Sequence, residues 1–244
     1  MDKDDVKRKY EDWHAAMSVN KKSIFALPWY QTVLKLLPDL NGKKVIEVGC
    51  GRGVFANYLA TKFPGAEVMA IDFSETAIEI AEGNYKNVSN LTFQVGNAES
   101  LSFPDGSFDF YISCETLEHV QTPQKMIGEM RRVLTPGGQF IMTTENYFNA
   151  YLLICLKCWL FRQPFDSGSG IQPNENFFIF PMILRWLRRS PLAITHTESN
   201  HYQWLLFPRI APAKLCTMDV DSPVLKRLFK PFGRHFTYVG TRRV

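Results

Sequence analysis

Nowhere in the 244 residues does an apolar run reach the ~20 residues that crossing a bilayer requires. The longest, AYLLICLKCWLF at 150–161, falls well short and is interrupted by Lys157. The opening residues, MDKDDVKRKYEDWH, are charged and lack the apolar core of a secretory signal, so a cytoplasmic location is expected. Cysteine is scarce. Five cysteines, an odd number scattered through a chain without an export signal, read as reduced thiols and not as a disulfide framework. Cys155 and Cys158 form a CxxC inside the long apolar run, with no second CxxC and no nearby histidine. That pair reads as buried packing, and no metal is expected. Repeats and low-complexity tracts are absent, which excludes solenoids and disorder beyond the ends. No sign of charge dominates either: 28 basic against 24 acidic residues leave a net +4, dispersed except at LRWLRR (184–189) and TRRV (241–244). Such a balance implies no nucleic-acid partner. What is present, 45% hydrophobic and 21% charged residues, suits one α/β domain with an embellishment.

After a polar N-terminal helix near 3–16, a helix from Pro28 to about Leu37 leads into an alternation of strands and helices. KVIEV, EVMAID, LTFQVGNA, FDFYISCE and QFIMTTEN read as five strands. Between them, VFANYLATKF, SETAIEIAEGNY with Ser74 as N-cap, and PQKMIGEMRRVL opened by Thr122 and Pro123 read as helices. This rhythm predicts a parallel sheet covered on both faces, with right-handed crossovers. The alternation stops from 147 to about 190. Strand-like sequence returns at LAITHTES and RHFTYVGT, on either side of a proline-rich stretch, and predicts a hairpin-like pair.

Gly49, Gly51 and Gly53 follow the first strand and lead into a helix, so the backbone can turn sharply and approach a ligand closely. The helix N-terminus favours an anionic group, and such loops lie beyond the carboxyl ends of parallel strands, where nucleotide-like ligands bind. Two patterns fit. Gly51, Gly53 and Ala56 satisfy the dinucleotide spacing GxGxxA, with Asp72 placed for a ribose diol; this supports an NAD(P)-dependent oxidoreductase. The other pattern, Glu47-x-Gly49-x-Gly51-x-Gly53, includes the acid on the strand.

The segments VIEVGCGRG, AIDFS, VGNAESLSFPDGSFDFYISCETLEHV and RVLTPGGQFIMTT, in that order, decide for the second. Together they resemble the class I S-adenosylmethionine-dependent methyltransferases, most of all the branch of ubiquinone and menaquinone biosynthesis enzymes and of sugar and natural-product O-methyltransferases. The likeness spans about residues 40–146. It implies a Rossmann-like methyltransferase fold: a seven-stranded, mostly parallel sheet with an antiparallel last strand, helices on both faces, and an inserted helical lid after strand five. The single domain then divides into N-terminal helices (1–40), a cofactor-binding core (41–146), a lid (147–190) and C-terminal strands (191–244).

The resemblance implies that S-adenosylmethionine is held by the glycine loop. Buried Glu47 is expected to accept loop N–H groups or to meet the ammonium of the cofactor's methionine part. Gly49, Cys50, Gly51 and Gly53 form the loop, Asp72 takes the ribose hydroxyls, Phe73 lies against the adenine, and Cys114 ends the fourth strand nearby. Asn97 stands where the family often has an aspartate for the adenine amino group; its amide oxygen accepts the same bond without charge assistance. Ala98 offers a backbone N–H, and Asp109 is read as structural.

Methyl transfer to a hydroxyl needs an aligned nucleophile and a base. SCETLEHV places Glu115, Glu118 and His119 at the rim, and Glu145 closes the fifth strand. A helix N-terminus disfavours an imidazolium, which suits His119 as a proton acceptor, and the sugar O-methyltransferases that this stretch resembles use a histidine there as base. The candidate catalytic set is therefore His119, Glu115 and Glu145. The lid is expected to choose the acceptor, with Tyr147, Gln172 and Asn174, helped by Asn176 and by His201 after the sixth strand. FFIFPMILRWLRR combines apolar bulk with a cationic end, which suits either docking on the sheet or peripheral membrane and lipid contact. The expected enzyme methylates a small molecule such as a sugar, phenol, quinone precursor or natural product, as a monomer or homodimer. A binding protein of methyltransferase type without turnover is the remaining alternative.

Overall fold

The β-branched run KVIEV forms β1 (Lys44–Val48), buried on both faces except at its first residue, as a central parallel strand must be. A computed structural model of the chain describes residues 7–12, 24–148, 159–162, 176–204, 216–218 and 223–244. Around β1 the sheet adds β2 (Glu67–Asp72), β3 (Leu91–Val95), β4 (Phe108–Cys114), β5 (Leu134–Glu145), β6 (Leu192–Trp204), β7 (Cys216–Met218) and β8 (Gly233–Arg242). Their order is β3-β2-β1-β4-β5-β8-β6-β7. Strands β1 to β5 pair in parallel, and β8 runs antiparallel between β5 and β6.

Seven strands match the expected arrangement, and an eighth is added. The three residues of β7 pair antiparallel with the end of β6, Tyr202 opposite Met218 and Trp204 opposite Cys216. A strand this short has no period to read in a sequence.

The helices are α1 (7–12), α2 (Pro28–Leu36), α3 (Val54–Lys62), α4 (Glu75–Tyr85), α5 (Pro123–Val133), α6 (159–161), α7 (Phe180–Arg189) and α8 (Pro223–Phe229). One face of the sheet buries Val45, Val68, Phe110 and Ile112 against Val33 of α2, Phe55 and Leu59 of α3, and Ile78 of α4. The other face buries Ile46, Tyr111, Phe140, Phe236 and Tyr238 against Met126 and Met130 of α5 and Ile183 and Leu187 of α7. Helix α4 begins as its sequence predicts, with the Ser74 hydroxyl accepting from the Ala77 N–H at 3.1 Å.

Helix α7 falls inside the 147–190 stretch that the sequence groups as a lid, yet it is a sheet-covering crossover. Its apolar stripe points inward, and burying Ile183 and Leu187 stabilises by roughly 1.5–3 kcal/mol each. The cationic end, Arg185, Arg188 and Arg189, is exposed. Most of the remaining stretch, 149–158 and 163–175, lies outside the described residues, as do Cys155 and Cys158. No helix among the described residues is long and apolar enough to cross a membrane.

The carboxyl ends of β1, β2, β4 and β5 share one rim. Because β8 is antiparallel, its amino end reaches the same rim, where His235 pairs with Glu145.

Candidate active site

The loop after β1 is held from both sides. Gly49 and Cys50 both donate their N–H groups to the Ile71 carbonyl at 2.9 Å, and Gly53 donates to the Cys50 carbonyl at 3.0 Å. Asp72 spans the gap: one carboxylate oxygen accepts from the Gly51 N–H at 2.7 Å, the other from the Ser74 N–H at 3.0 Å. Each oxygen keeps a lone pair, and the residue is only partly buried, so a diol can still reach it.

The three glycines of this loop all adopt positive φ, at 80°, 51° and 74° for Gly49, Gly51 and Gly53. At two of them protein atoms fill the space a Cβ would take. A Cβ at Gly49 would overlap the Thr116 side chain, and one at Gly53 would lie 2.5 Å from Phe93. Glycine at these two positions is thus a packing requirement, in addition to the sharp turn that the sequence predicts.

Glu47 does not brace the loop, since the Gly49, Cys50, Gly51 and Gly53 N–H groups go to other acceptors. The residue is 2% exposed, and Oε2 has no hydrogen-bond partner among the described residues. Burial, with Asp72 nearby, pushes the Glu47 carboxyl up to about 8. Among the described residues this acid has no cationic partner. The ammonium of a bound S-adenosylmethionine is of the right charge to be that partner, so these residues fit the cofactor. Asn97 uses its amide oxygen to accept from the Glu99 N–H at 2.9 Å, an acceptor with one lone pair remaining. Ala98 is buried, and Phe73 is partly exposed with the Lys7 Nζ 6.0 Å from its ring centre. Both thiols, Cys50 and Cys114, are buried and pushed well above the usual range, chiefly by burial, so they stay protonated.

At the end of β4, Glu115 adopts φ 51°, a conformation that side chains other than glycine rarely take. Its Oε2 lies 2.8 Å from Nδ1 of His235, whose ring packs at a tilt of 39° against Trp29 with centroids 4.3 Å apart. Burial, then Glu145, pushes Glu115 up to about 8, while burial pulls His235 down to about 3. The contact is therefore a neutral hydrogen bond and not an ion pair. Glu145 differs. Burial works against its ionisation, but the Arg234 guanidinium at 2.9 Å and a hydrogen bond from the Tyr147 side chain outweigh it and hold the carboxyl below its ordinary value. Glu118 is 1% exposed and accepts from the Thr144 hydroxyl at 2.8 Å; burial and Glu115 push it up to about 8. His119 follows on the short 3-10 turn Leu117–His119, partly exposed, its ring 6.2 Å from that of Tyr10.

The proposed acceptor residues are placed unevenly. Tyr147 is 2% exposed, donates its backbone N–H to the Phe178 carbonyl, packs edge-on against Phe177 and hydrogen-bonds Glu145 through its side chain, so it backs the rim from the buried side. The Asn176 amide is spent on the Glu118 and Val120 carbonyls. Gln172 and Asn174 lie outside the described residues, as does the His201 side chain, although His201 itself is on β6. Thr116, Arg234 and His235 were not among the expected site residues. Thr116 donates to the Val48 and Cys114 carbonyls, joining the ends of β1 and β4. The signal for the other two was the direction of the final strand, which puts GRH at the rim. Asp109 is structural as expected: it sits at the opposite end of β4 and accepts from the Lys44 N–H at 3.0 Å.

Residues 46–142 match the family model described as a methyltransferase domain. The chain is 37% identical over 170 residues to the ubiquinone biosynthesis O-methyltransferase of Coxiella burnetii, covering 67% of this chain and 69% of that protein. It is 37% identical over 105 residues to the fatty-acid O-methyltransferase of Mycolicibacterium smegmatis, covering 43% and 38%. The crystal structure of an S-adenosylmethionine-dependent methyltransferase from Methanosarcina mazei shares the fold, with a TM-score of 0.64, 22% identity, and coverage of 89% of this chain and 100% of that one. With Gly53 explained by packing against Phe93, the dinucleotide spacing loses its force as a sign of an oxidoreductase. The chain belongs to the class I S-adenosylmethionine-dependent methyltransferases.

Proposed function

We propose that the chain methylates a hydroxyl oxygen of a small molecule that has an apolar portion, of the phenol, quinone-precursor or lipid-like kind. The observation that carries the cofactor side is Glu47, a buried acid at the end of β1 with one oxygen that has no partner among the described residues. In this reading Glu47 receives the methionine ammonium, Asp72 the ribose hydroxyls, and Phe73, Asn97 and Ala98 border the adenine. The loop of Gly49, Cys50, Gly51 and Gly53 shapes the floor, with Cys114 beside it.

The acceptor side rests on two supports. Relatives that match the chain carry O-methyltransferase names with quinone and fatty-acid acceptors. Exposed Trp159, Leu160 and Phe161 offer apolar surface in the segment after β5. Bound S-adenosylmethionine supplies an electrophilic methyl group whose leaving thioether needs no proton. The chain's own part is to aim the acceptor oxygen and to take up its proton. We assign the proton to His119, which is partly exposed at the end of β4 and so can pass it to solvent. Glu115 and Glu145 line the same end.

Isothermal titration with S-adenosylhomocysteine tests the cofactor reading; a folded chain that does not bind it defeats the proposal. Turnover is tested with a panel of phenols, hydroquinones, sugars and hydroxylated fatty acids, scored by methyl product. His119→Ala is expected to lower turnover by roughly 10²- to 10⁴-fold with cofactor affinity intact. A normal rate with an unchanged pH profile removes His119 from the mechanism.

A further inference from the structure

Helix α1 touches both halves of the proposed site. Lys7, Tyr10 and Glu11 are its partly buried residues, at the i, i+3 and i+4 spacing of one helical face, while Arg8, Lys9 and Asp12 are exposed. Each inward residue meets a position that the cofactor or base assignment uses or borders. Glu11 accepts from the Ser74 hydroxyl at 2.7 Å and from the Glu75 and Thr76 N–H groups at 2.8 and 2.9 Å. Lys7 forms an ion pair with Glu75, and its Nζ lies 6.0 Å from the ring centre of Phe73. Tyr10 reaches the other side, its ring edge-on to His119 at 6.2 Å and 64°.

The sheet order makes these contacts a bridge. Strands β2 and β4 flank β1, so the turn at Phe73 and Ser74 and the turn at Leu117–His119 stand on opposite sides of the glycine loop. Two strand spacings, about 9.5 Å, separate the ends of β2 and β4, and a helix as short as α1 is about 9 Å long. Such a helix does not hold its own fold in water. Its order therefore depends on the grip at either end, and a ligand that firms one end firms the helix. Ser74 ties that grip to the proposed ribose acid: its hydroxyl donates to Glu11, and its N–H donates to Asp72 at 3.0 Å.

We propose that α1 is a strap whose closure couples cofactor occupancy to the setting of the base, with Tyr10 as a positioning residue for His119. The inference rests on the cofactor and His119 assignments made above. Ribose hydroxyls on Asp72 and adenine beside Phe73 fix the turn that Glu11 and Lys7 grip, so bound cofactor favours the closed strap. The closed strap brings Tyr10 against His119 and restricts the imidazole before an acceptor arrives. Strap and cofactor stabilise each other by the same factor, as linkage requires.

The test uses the full chain with S-adenosylhomocysteine as the probe. Hydrogen exchange at the α1 amides is expected to slow when the probe is added to the wild type. Glu11→Gln, which takes the charge from the three hydrogen bonds of the grip, is expected to lose that slowing. It should also release the probe at least about threefold faster in stopped-flow displacement. Tyr10→Ala is expected to displace the His119 ring resonances of the complex in nuclear magnetic resonance, and Tyr10→Phe, which keeps the ring, to restore them. With the fastest acceptor of the panel, Tyr10→Ala is expected to lower kcat at least about fivefold with acceptor KM within about twofold of wild type, and to lower nothing further in a His119→Ala background. A wild type that does not bind the probe defeats the cofactor reading, and a normal rate in His119→Ala defeats the base assignment; a strap that fails to close produces neither result. Unchanged α1 exchange and probe release in Glu11→Gln overturn the strap, and so do His119 resonances or a kcat indifferent to Tyr10→Ala.

Discussion

A methyl group added at Gly49 would overlap the Thr116 side chain, whose hydroxyl joins the ends of β1 and β4. The residue also sits at φ 80°, where a Cβ is strained in any surroundings. Gly49→Ala is therefore expected to destabilise by at least ~1–3 kcal/mol, read as a lower urea midpoint at unchanged m-value. Asp72 works differently, because it serves both the fold and the proposed ribose contact. Asp72→Ala strips an acceptor from the Gly51 and Ser74 N–H groups, and charge-assisted bonds of this kind contribute about 1.5–3 kcal/mol each. A fall in unfolding stability and a weaker S-adenosylhomocysteine affinity by titration should appear together. Asp72→Asn, which keeps one acceptor oxygen, is expected to fall between. Loss of stability with unaltered affinity would confine Asp72 to bracing the loop.

Among the elements, α1 is fastened in a way that acid should undo. Glu11 accepts from the Ser74 hydroxyl and from the Glu75 and Thr76 N–H groups, so it caps the start of α4 from outside. Burial opposes its ionisation, but hydrogen bonds from Thr76, Ser74 and Glu75 prevail and hold the carboxyl down at about 2. A carboxyl depressed on folding contributes stability above its unfolded value, near 4.5, and loses it as pH falls from there towards about 2. Hydrogen exchange at the Glu75 and Thr76 amides, corrected for its intrinsic pH dependence, should gain protection loss across that window. Glu11→Gln should show the loss already at neutral pH. Equal protection in both proteins throughout would mean that the cap does not hold α1 in place.

For the molecule as a whole, a ligand that binds only the folded state raises stability by mass action. S-adenosylhomocysteine at 100 times its dissociation constant is expected to add about 2.7 kcal/mol, read by chemical unfolding with and without ligand. How far this architecture shows in the residues depends on range. Local rules were sufficient for KVIEV, for the Ser74 cap, and for the glycine turn, because period, cap chemistry and positive φ are properties of neighbouring residues. Three features lay beyond them. The three-residue β7 is too short for a pattern, Glu11 reaches Ser74 across 63 positions, and the arrival of Arg234 and His235 at the rim depends on strand direction. The reason for glycine at 49 and 53 was legible only in part, since Thr116 and Phe93 come against them only in three dimensions.

The place of β8 between β5 and β6 sets a constraint on how the protein is made. Phe236, Thr237 and Tyr238, all almost wholly inaccessible to water, lie between β5 and β6 in the finished sheet, yet they leave the ribosome after both of those strands. Until they emerge, β5 and β6 each present an open hydrogen-bonding edge. Nascent chains stalled before Gly233 should therefore be captured by chaperones or aggregate, while the β1–β4 half is already native-like.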